Sequence, residues 1–252
     1  MRRYALRDDQ WERIQELLPG RAGSVGVPAR DNRLFVEAVL YRYRAGIPWC
    51  DLPERFGDWK NVHRRFSRWA KLGVWERVFA HFAADADNEY AMIDSTIVRA
   101  HQHSAGAHKK AGENQAIGRF RGGLSTKIHT LVDALGNPVH FFLTGGEAHD
   151  LVGADHLVPE MQAGMLIADK AFDADERVLQ PLADAGKTAV IPPRANRRAA
   201  RDFDRHLYKE RHLIENFFAK LKQFRAIATR YDKTARNFLA AVHLTAAAIW
   251  LN

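Results

Sequence analysis

One cysteine in 252 residues, Cys50, rules out a disulfide within the chain, so nothing in the composition points to an oxidising compartment. With no second cysteine or patterned histidine beside it, Cys50 reads as a small apolar side chain. Long apolar runs are also lacking. The longest, Phe238 to Leu251, is fourteen residues interrupted by His243 and Thr245. A membrane-spanning helix needs about 20 residues, so this run reads as a buried terminal helix. Met1-Arg2-Arg3-Tyr4 leads straight into charged residues without the apolar core of a signal peptide. The expectation is a cytoplasmic protein with no membrane partner. There is no internal repeat and no low-complexity tract.

What is present is charge, unevenly placed. The formal net charge is +8. Residues 1–88 carry 16 Lys/Arg against 12 Asp/Glu, residues 89–186 carry 8 against 13, and residues 187–252 carry 14 against 5. A basic head and tail around an acidic middle suggest a polyanionic partner and a site that gathers carboxylates. A generically basic surface is the plainer alternative.

The first 86 residues read as helical. Trp11, Ile14, Leu17 and Leu18 form a helical stripe closed by Pro19-Gly20, and Leu34 to Tyr43 form a second helix ended by Gly46 and Pro48. Leu52 to Phe56 and Trp59 to Lys71 follow, with Asp58 as the N-cap of the latter. On that helix Trp59, Val62, Phe66 and Trp69 make one buried face. Lys60, Arg64, Arg65, Arg68 and Lys71 take the remaining surface. A helix, a Gly-containing turn and a basic helix outline a helix-turn-helix with Lys60, Arg64, Arg65 and Arg68 towards DNA. Any small helical bundle has the same outline.

From residue 87 the texture becomes α/β. Tyr90 to Val98, Lys127 to Asp133 and Val139 to Thr144 read as strands, the last two joined by the turn Ala134 to Pro138. A helix over 154–161, a strand Met165 to Ala168, a helix over 175–185 and a strand Thr188 to Ile191 come next. A long helix from Arg205 to Phe224 and the apolar terminal helix finish the chain. This order predicts a ribonuclease-H-like catalytic domain, a mixed sheet flanked by helices, over 87–252.

Asp94 lies inside the apolar strand Met92-Ile93-Asp94-Ser95-Thr96-Ile97, and Asp169 directly follows the apolar run Met165 to Ala168. A charge beside a buried strand is costly unless paired or metal-bound. Either aspartate alone could be a hydrogen-bonded structural residue; two on separate strands of one proposed sheet point to a hard cation such as Mg²⁺. On a helix turning by about 100° per residue, Tyr208, Arg211 and Lys222 fall within roughly 40° of Glu215, opposite the apolar Ile214, Phe217, Leu221 and Phe224. A carboxylate flanked by cations and a phenol suits a metal-bound phosphate; Arg211 and Glu215 could equally be a solvated pair.

The pattern Tyr208-x-x-Arg211-x-x-x-Glu215-x-x-x-x-x-x-Lys222 resembles the Tyr-Arg-Glu-Lys signature of bacterial insertion-sequence transposases of the Asp-Asp-Glu type. Ile93 to His101 resembles that family's first-aspartate strand and Ala168 to Asp173 its second, although many members carry Gly-Tyr where this chain has Ala171-Phe172. Leu52 to Gly57, with Trp59 and Arg64-Arg65-Phe66, resembles the N-terminal domain of the insertion-sequence-five group. The resemblance implies strand cleavage at the ends of an insertion sequence and transfer into target DNA. It implies two divalent ions, Mg²⁺ or Mn²⁺, held by Asp94, Asp169 and Glu215, with Asp94 shared. Arg211 and Lys222 would bind phosphates beside the cleaved bond, and Tyr208 would hydrogen-bond or stack there. Double-stranded DNA, both terminal inverted repeats and target, would be the partner, bound by a homodimer or higher assembly at the nucleoid.

Further basic residues are candidates for DNA contact. Arg119 and Arg121 lie in the glycine- and histidine-rich stretch from His101 to Ser125, which has neither a P-loop spacing nor a cysteine for zinc. Arg194, Arg197 and Arg198, with Arg201 and Arg205, form either a phosphate-tracking patch or a solvated linker. His149-Asp150 is a polar pair without an assigned role. Two other functions fit the same residues: a ribonuclease-H-like nuclease that does not join strands, and an inactive DNA-binding regulator descended from a transposase.

Overall fold

The computed structural model describes residues 5–21, 28–105, 115–197 and 201–252. Its elements run α1 (Asp8–Gln15), α2 (Asn32–Ala45), α3 (Trp59–Lys71), α4 (Val74–Ala83), β1 (Ala91–Ala100), α5 (Gln102–Ala105), β2 (Gly118–Phe120), β3 (Gly123–Val132), β4 (Pro138–Gly145) and α6 (Asp150–Leu157). Then come β5 (Met165–Ile167), α7 (Gln180–Asp184), β6 (Thr188–Val190), α8 (His212–Lys222), α9 (Arg225–Ala228) and α10 (Ala235–Trp250). By contact the chain falls into two compact units. One holds the described residues up to Phe82, those from His101 to Ala105, and Leu221–Asn252; the other holds Ala83–Ala100 and the described residues from 115 to Lys220.

The first unit is helical because its apolar residues recur on single faces. Asp31 caps α2 by accepting from the Leu34 amide at 2.8 Å, and Gly46, at a φ of 73°, ends it in the left-handed conformation that glycine tolerates. Asp58 caps α3 through the Lys60 amide at 2.9 Å, as its sequence suggests. Phe66 is fully buried, its ring 5.7 Å from Tyr43, 5.5 Å from Trp49 and 5.9 Å from Trp75. The sequence placed the apolar terminal helix with the sheet, but α10 groups here: His243 stacks on Phe79 at 5.1 Å and Asn237 donates to Ser67 at 3.0 Å. Among the described residues no helix is long and apolar enough to cross a membrane.

The second unit is built on a mixed sheet. β3 pairs antiparallel with β2, β4 and β1; β1 pairs parallel with β5, and β5 with β6. An antiparallel meander carried on by parallel strands is the ribonuclease-H-like arrangement. Asp133 makes the β3–β4 turn by accepting from the amides of Leu135 and Asn137, while Gly136 takes a φ of 81°. α6 and α7 cover one face of the sheet, where Ile93, Leu131, Leu157, Leu166, Phe172 and Val178 form the core.

Three further expectations change. The helix anticipated at 154–161 starts four residues earlier, because His149 accepts from the Leu151 amide at 3.2 Å and so supplies a cap. The helix anticipated at 175–185 is a π turn, Asp175–Leu179, running into α7. The long helix anticipated from Arg205 is a 3₁₀ segment, Leu207–Arg211, followed by α8. There Asp204 accepts from the amides of both His206 and Leu207 and tightens the turn.

α6 lies close against β3 because Gly153 has no side chain: a Cβ there would overlap the buried ring of His129. Gly153→Ala should therefore destabilise the fold. Overpacking costs about 1–3 kcal/mol, which exceeds the ~1 kcal/mol gained in helix propensity. Urea unfolding measures the balance; a more stable Gly153→Ala protein would contradict this packing.

Candidate active site

β1 and β5 bring the two aspartates together. The parallel register sets Met92 opposite Ile167, so Asp94, two residues further along β1, lies level with Asp169 just past the end of β5. Asp94 Oδ1 accepts from the Ser95 amide at 2.7 Å. Asp169 caps the turn Lys170–Phe172, accepting from the Ala171 amide at 2.7 Å. Burial holds the Asp94 carboxyl above its ordinary range and the charge of Asp169 adds to the rise, while the Ser95 amide and Arg211 oppose it.

Arg211 joins this pair to α8. Its Nη1 donates to Asp94 Oδ2 at 2.7 Å and its Nη2 to Glu215 Oε1 at 2.5 Å. Burial works against the guanidinium charge, but Asp94, Glu215, Tyr208 and Asp169 outweigh it and raise the Arg211 pKa. Tyr208 and Arg211 lie on the 3₁₀ segment, where the turn is nearer 120° per residue. The stripe drawn on one continuous α-helix is therefore interrupted before His212. Glu215 stays exposed while Ile214, Phe217 and Leu221 are buried behind it. Lys222 is the last residue of α8 and falls in the first compact unit.

The outlying basic residues divide. Lys60, Arg64 and Arg68 are exposed on α3. Arg65 turns inward: its guanidinium lies 4.2 Å from the Phe35 ring centroid and 4.6 Å from that of Trp69, and it donates to Asn32. Arg119 and Arg121 are exposed at the tip of the β2–β3 hairpin. Arg194 and Arg197 converge instead on Asp173, a buried carboxylate. It accepts from the Arg194 amide at 2.8 Å, from Arg197 Nη1 at 2.6 Å and from Arg201 Nη2 at 3.1 Å. Arg198 lies outside the described residues. His101 Nδ1 accepts from the His103 amide at 3.2 Å, and its ring lies 4.8 Å from that of Tyr231.

The family model described as "Transposase DDE domain" matches residues 87–251, well over half of the chain. The chain belongs to the DDE transposase family. A second model, "Putative transposase of IS4/5 family", matches residues 6–79. A "Putative transposase for insertion sequence element IS6501" from Brucella ovis is 41% identical over 129 residues, 51% of this chain and 99% of that relative. The uncharacterised protein y4sN of Sinorhizobium fredii is 52% identical over 107 residues, 42% of this chain and 86% of that protein. Among solved structures, a piggyBac transposase synaptic complex with hairpin DNA superposes with a TM-score of 0.40 at 14% identity, over 76% of this chain and 48% of that one.

This enzyme is thus a DDE-type DNA transposase, of a family that works with divalent metal ions. Its acidic side chains suit such an ion in chemistry, being hard oxygen donors gathered around a carboxyl whose charge burial opposes. Among the described residues no three Asp, Glu, His or Cys side chains converge on one point as they stand; the Arg211 guanidinium lies among them. Sequence reasoning missed Asp173 and gave no role to Asp150. Asp150 accepts from Ser95 Oγ at 2.5 Å and from Lys127 Nζ at 3.0 Å. The sequence offered only weak signals, Lys127 and His129 two apart in β3 and Ser95 next to Asp94.

Arg211→Ala should leave Asp94 without its cation and destabilise the metal-free transposase by about 1–3 kcal/mol, the cost of stranding a partly buried charge. Glu215→Gln, at an exposed carboxylate, should cost less than about 1 kcal/mol. Urea unfolding in EDTA compares the two. Equal, small losses would reduce Arg211 to a surface partner of Glu215.

Proposed function

We propose that the transposase uses Asp94, Asp169 and Glu215 to hold two Mg²⁺ or Mn²⁺ ions, with Asp94 shared, and that it cleaves the ends of its insertion sequence and joins them to target DNA. The observation that carries this reading is Asp94 of β1 set level with Asp169 just past β5, with Arg211 bonding both Asp94 and Glu215. Bound there, the ions would activate water or a 3′-hydroxyl and offset charge on the leaving oxygen.

The chain's own groups have distinct parts. The three carboxylates supply oxygen donors from within β1, from the turn after β5 and from α8. Arg211 presents a planar fork able to bind phosphate on two sides, and Tyr208 and Lys222 flank it in sequence at Tyr208-x-x-Arg211 and the end of α8. Arg211 bonds two carboxylates already, so binding a phosphate there exchanges one anionic partner for another. We assign end recognition to a helical domain over 1–86 and chemistry to 87–252, a division supported by matches at 6–79 and 87–251. Lys60, Arg64 and Arg68 on α3, and Arg119 and Arg121 on the β2–β3 hairpin, would contact backbone phosphates of double-stranded DNA. The transposase would act as a homodimer or higher assembly on paired element ends in the cytoplasm, at the nucleoid.

Duplexes carrying the element's terminal repeats should be nicked in Mg²⁺ or Mn²⁺ and left whole in EDTA. Asp94→Ala and Glu215→Gln should each lower single-turnover nicking by about a hundredfold or more. Cleavage at the wild-type rate by either variant would overturn the site.

The head makes a separate prediction. Replacing Arg64 and Arg68 with Ala should weaken binding to end DNA and flatten its salt dependence, each lost phosphate contact removing about one unit of log–log slope. Arg65→Ala should act instead through stability, since its guanidinium lies over Phe35 and Trp69. An unchanged slope in the Arg64/Arg68 double variant would make α3 a structural helix only.

A further inference from the structure

The face of β1 that turns away from the Asp94 carboxylate carries a polar network that phosphodiester chemistry does not itself require. Ser95 sits at its centre. Its amide donates to Asp94 Oδ1 at 2.7 Å and its hydroxyl to Asp150 Oδ1, in the first turn of α6, at 2.5 Å. Lys127 Nζ donates to the same Asp150 oxygen at 3.0 Å and to the Ala148 carbonyl at 2.6 Å. Opposite Ser95 in the β1–β3 register stands His129, fully buried, with Nε2 2.9 Å from Thr144 Oγ1. Burial pushes the His129 pKa down to about 4, so the ring packed beneath Gly153 is neutral near pH 7. Four elements, β1, β3, β4 and α6, meet in these contacts.

We infer that Asp150 is a positioning residue for Asp94, acting through Ser95 and held in place by Lys127. This rests on the reading of Asp94 as a metal ligand. Among the described residues Asp94 has two hydrogen-bonded holds. One is Arg211, a long side chain that a cation or phosphate competes with. The other is the Ser95 amide, which cannot leave but is only as fixed as Ser95 itself. The hydroxyl tie to Asp150 fixes that residue. Burial alone would raise the Asp150 carboxyl, but Ser95 and Lys127 more than offset it and hold it below its ordinary range, so it stays an acceptor-only anion. Docking α6 on the sheet does not call for these groups: apolar side chains of similar volume would do that as well or better. An orienting hydrogen bond behind a ligating carboxylate does call for them.

The test uses the full-length protein and Mn²⁺ alone as probe, with free Mn²⁺ read by electron paramagnetic resonance. Ser95→Ala deletes the tie but keeps the amide, and Asp150→Asn removes the charge. Both should weaken Mn²⁺ binding about tenfold or more, the usual cost of losing a partner behind a ligand. Ser95→Thr should restore affinity, and end-DNA binding in EDTA should be unaltered. Leu157→Ala, in the core beneath α6, serves as the structural control and should lower the thermal midpoint with Mn²⁺ affinity kept. Wild-type Mn²⁺ affinity in Ser95→Ala would overturn the inference, as would a loss that Leu157→Ala reproduces. Asp94→Ala is measured alongside: if it binds Mn²⁺ like the wild type, the assignment of Asp94 as a ligand is what fails.

Discussion

The arrangement of the catalytic unit turns on one guanidinium. Asp94 within β1 and Asp169 just past β5 lie side by side, where burial already raises the Asp94 carboxyl and a second negative charge raises it further. Without a cation the pair resists being assembled. Arg211 answers that resistance with two charge-assisted bonds, to Asp94 at 2.7 Å and to Glu215 at 2.5 Å. A lysine could offer the charge but not a rigid fork spanning two carboxylates. Because Arg211 is locked to Glu215 four residues on, and to a strand 117 positions earlier, it also sets how α8 begins against the sheet. On the proposed reading, the guanidinium occupies the acidic cluster as its counter-ion, and divalent ions or DNA phosphate take over part of that duty.

A second internal charge cluster does the same for the segment that follows Asp169. Asp173 is buried and accepts from Arg194, Arg197 and Arg201, while Arg194 also donates to the carbonyls of Lys170 and Ala171. Those bonds stitch the chain beyond β6 to the turn that Asp169 caps. Burial would raise the Asp173 carboxyl, but the Arg194 amide and the arginine side chains hold it below its ordinary range. The arginine run therefore has a positioning part next to the site, distinct from the phosphate-tracking part its composition suggests.

The sequence marked the candidate site more readily than the groups around it. Asp94 and Asp169 stood out because a charge inside or against an apolar strand is rare without a purpose, and Glu215 because its helix has an apolar back. Most of the order of strands along the chain was legible from strong turns, as at Ala134 to Pro138; their order within the sheet was not. The 3₁₀ start of α8 was not legible, since Asp204 binds backbone amides in a way that no periodicity records. Nor was the fate of α10, whose all-round apolar character says that it is buried but not against which partner. The part played by Asp150 needed the β1–β3 register, because Ser95, Lys127 and Asp150 are far apart in the chain and none is unusual alone.

These internal pairings change what the net charge of +8 means for DNA. Arg65, Arg194, Arg197 and Arg211 have their hydrogen-bonding faces turned to protein partners. They still contribute to the long-range field that draws a polyanion in, but a phosphate at them competes with native contacts. Arg64 and Arg68 on α3, and Arg119 and Arg121 on the hairpin, are exposed and carry no such cost. Counterion release follows the phosphates that are contacted, not the formal charge of the chain. The salt dependence of binding should accordingly be set mainly by α3 and the hairpin tip. Arg211, which must exchange a carboxylate for a phosphate, adds little to affinity and keeps its effect for the step in which charge at the phosphate changes.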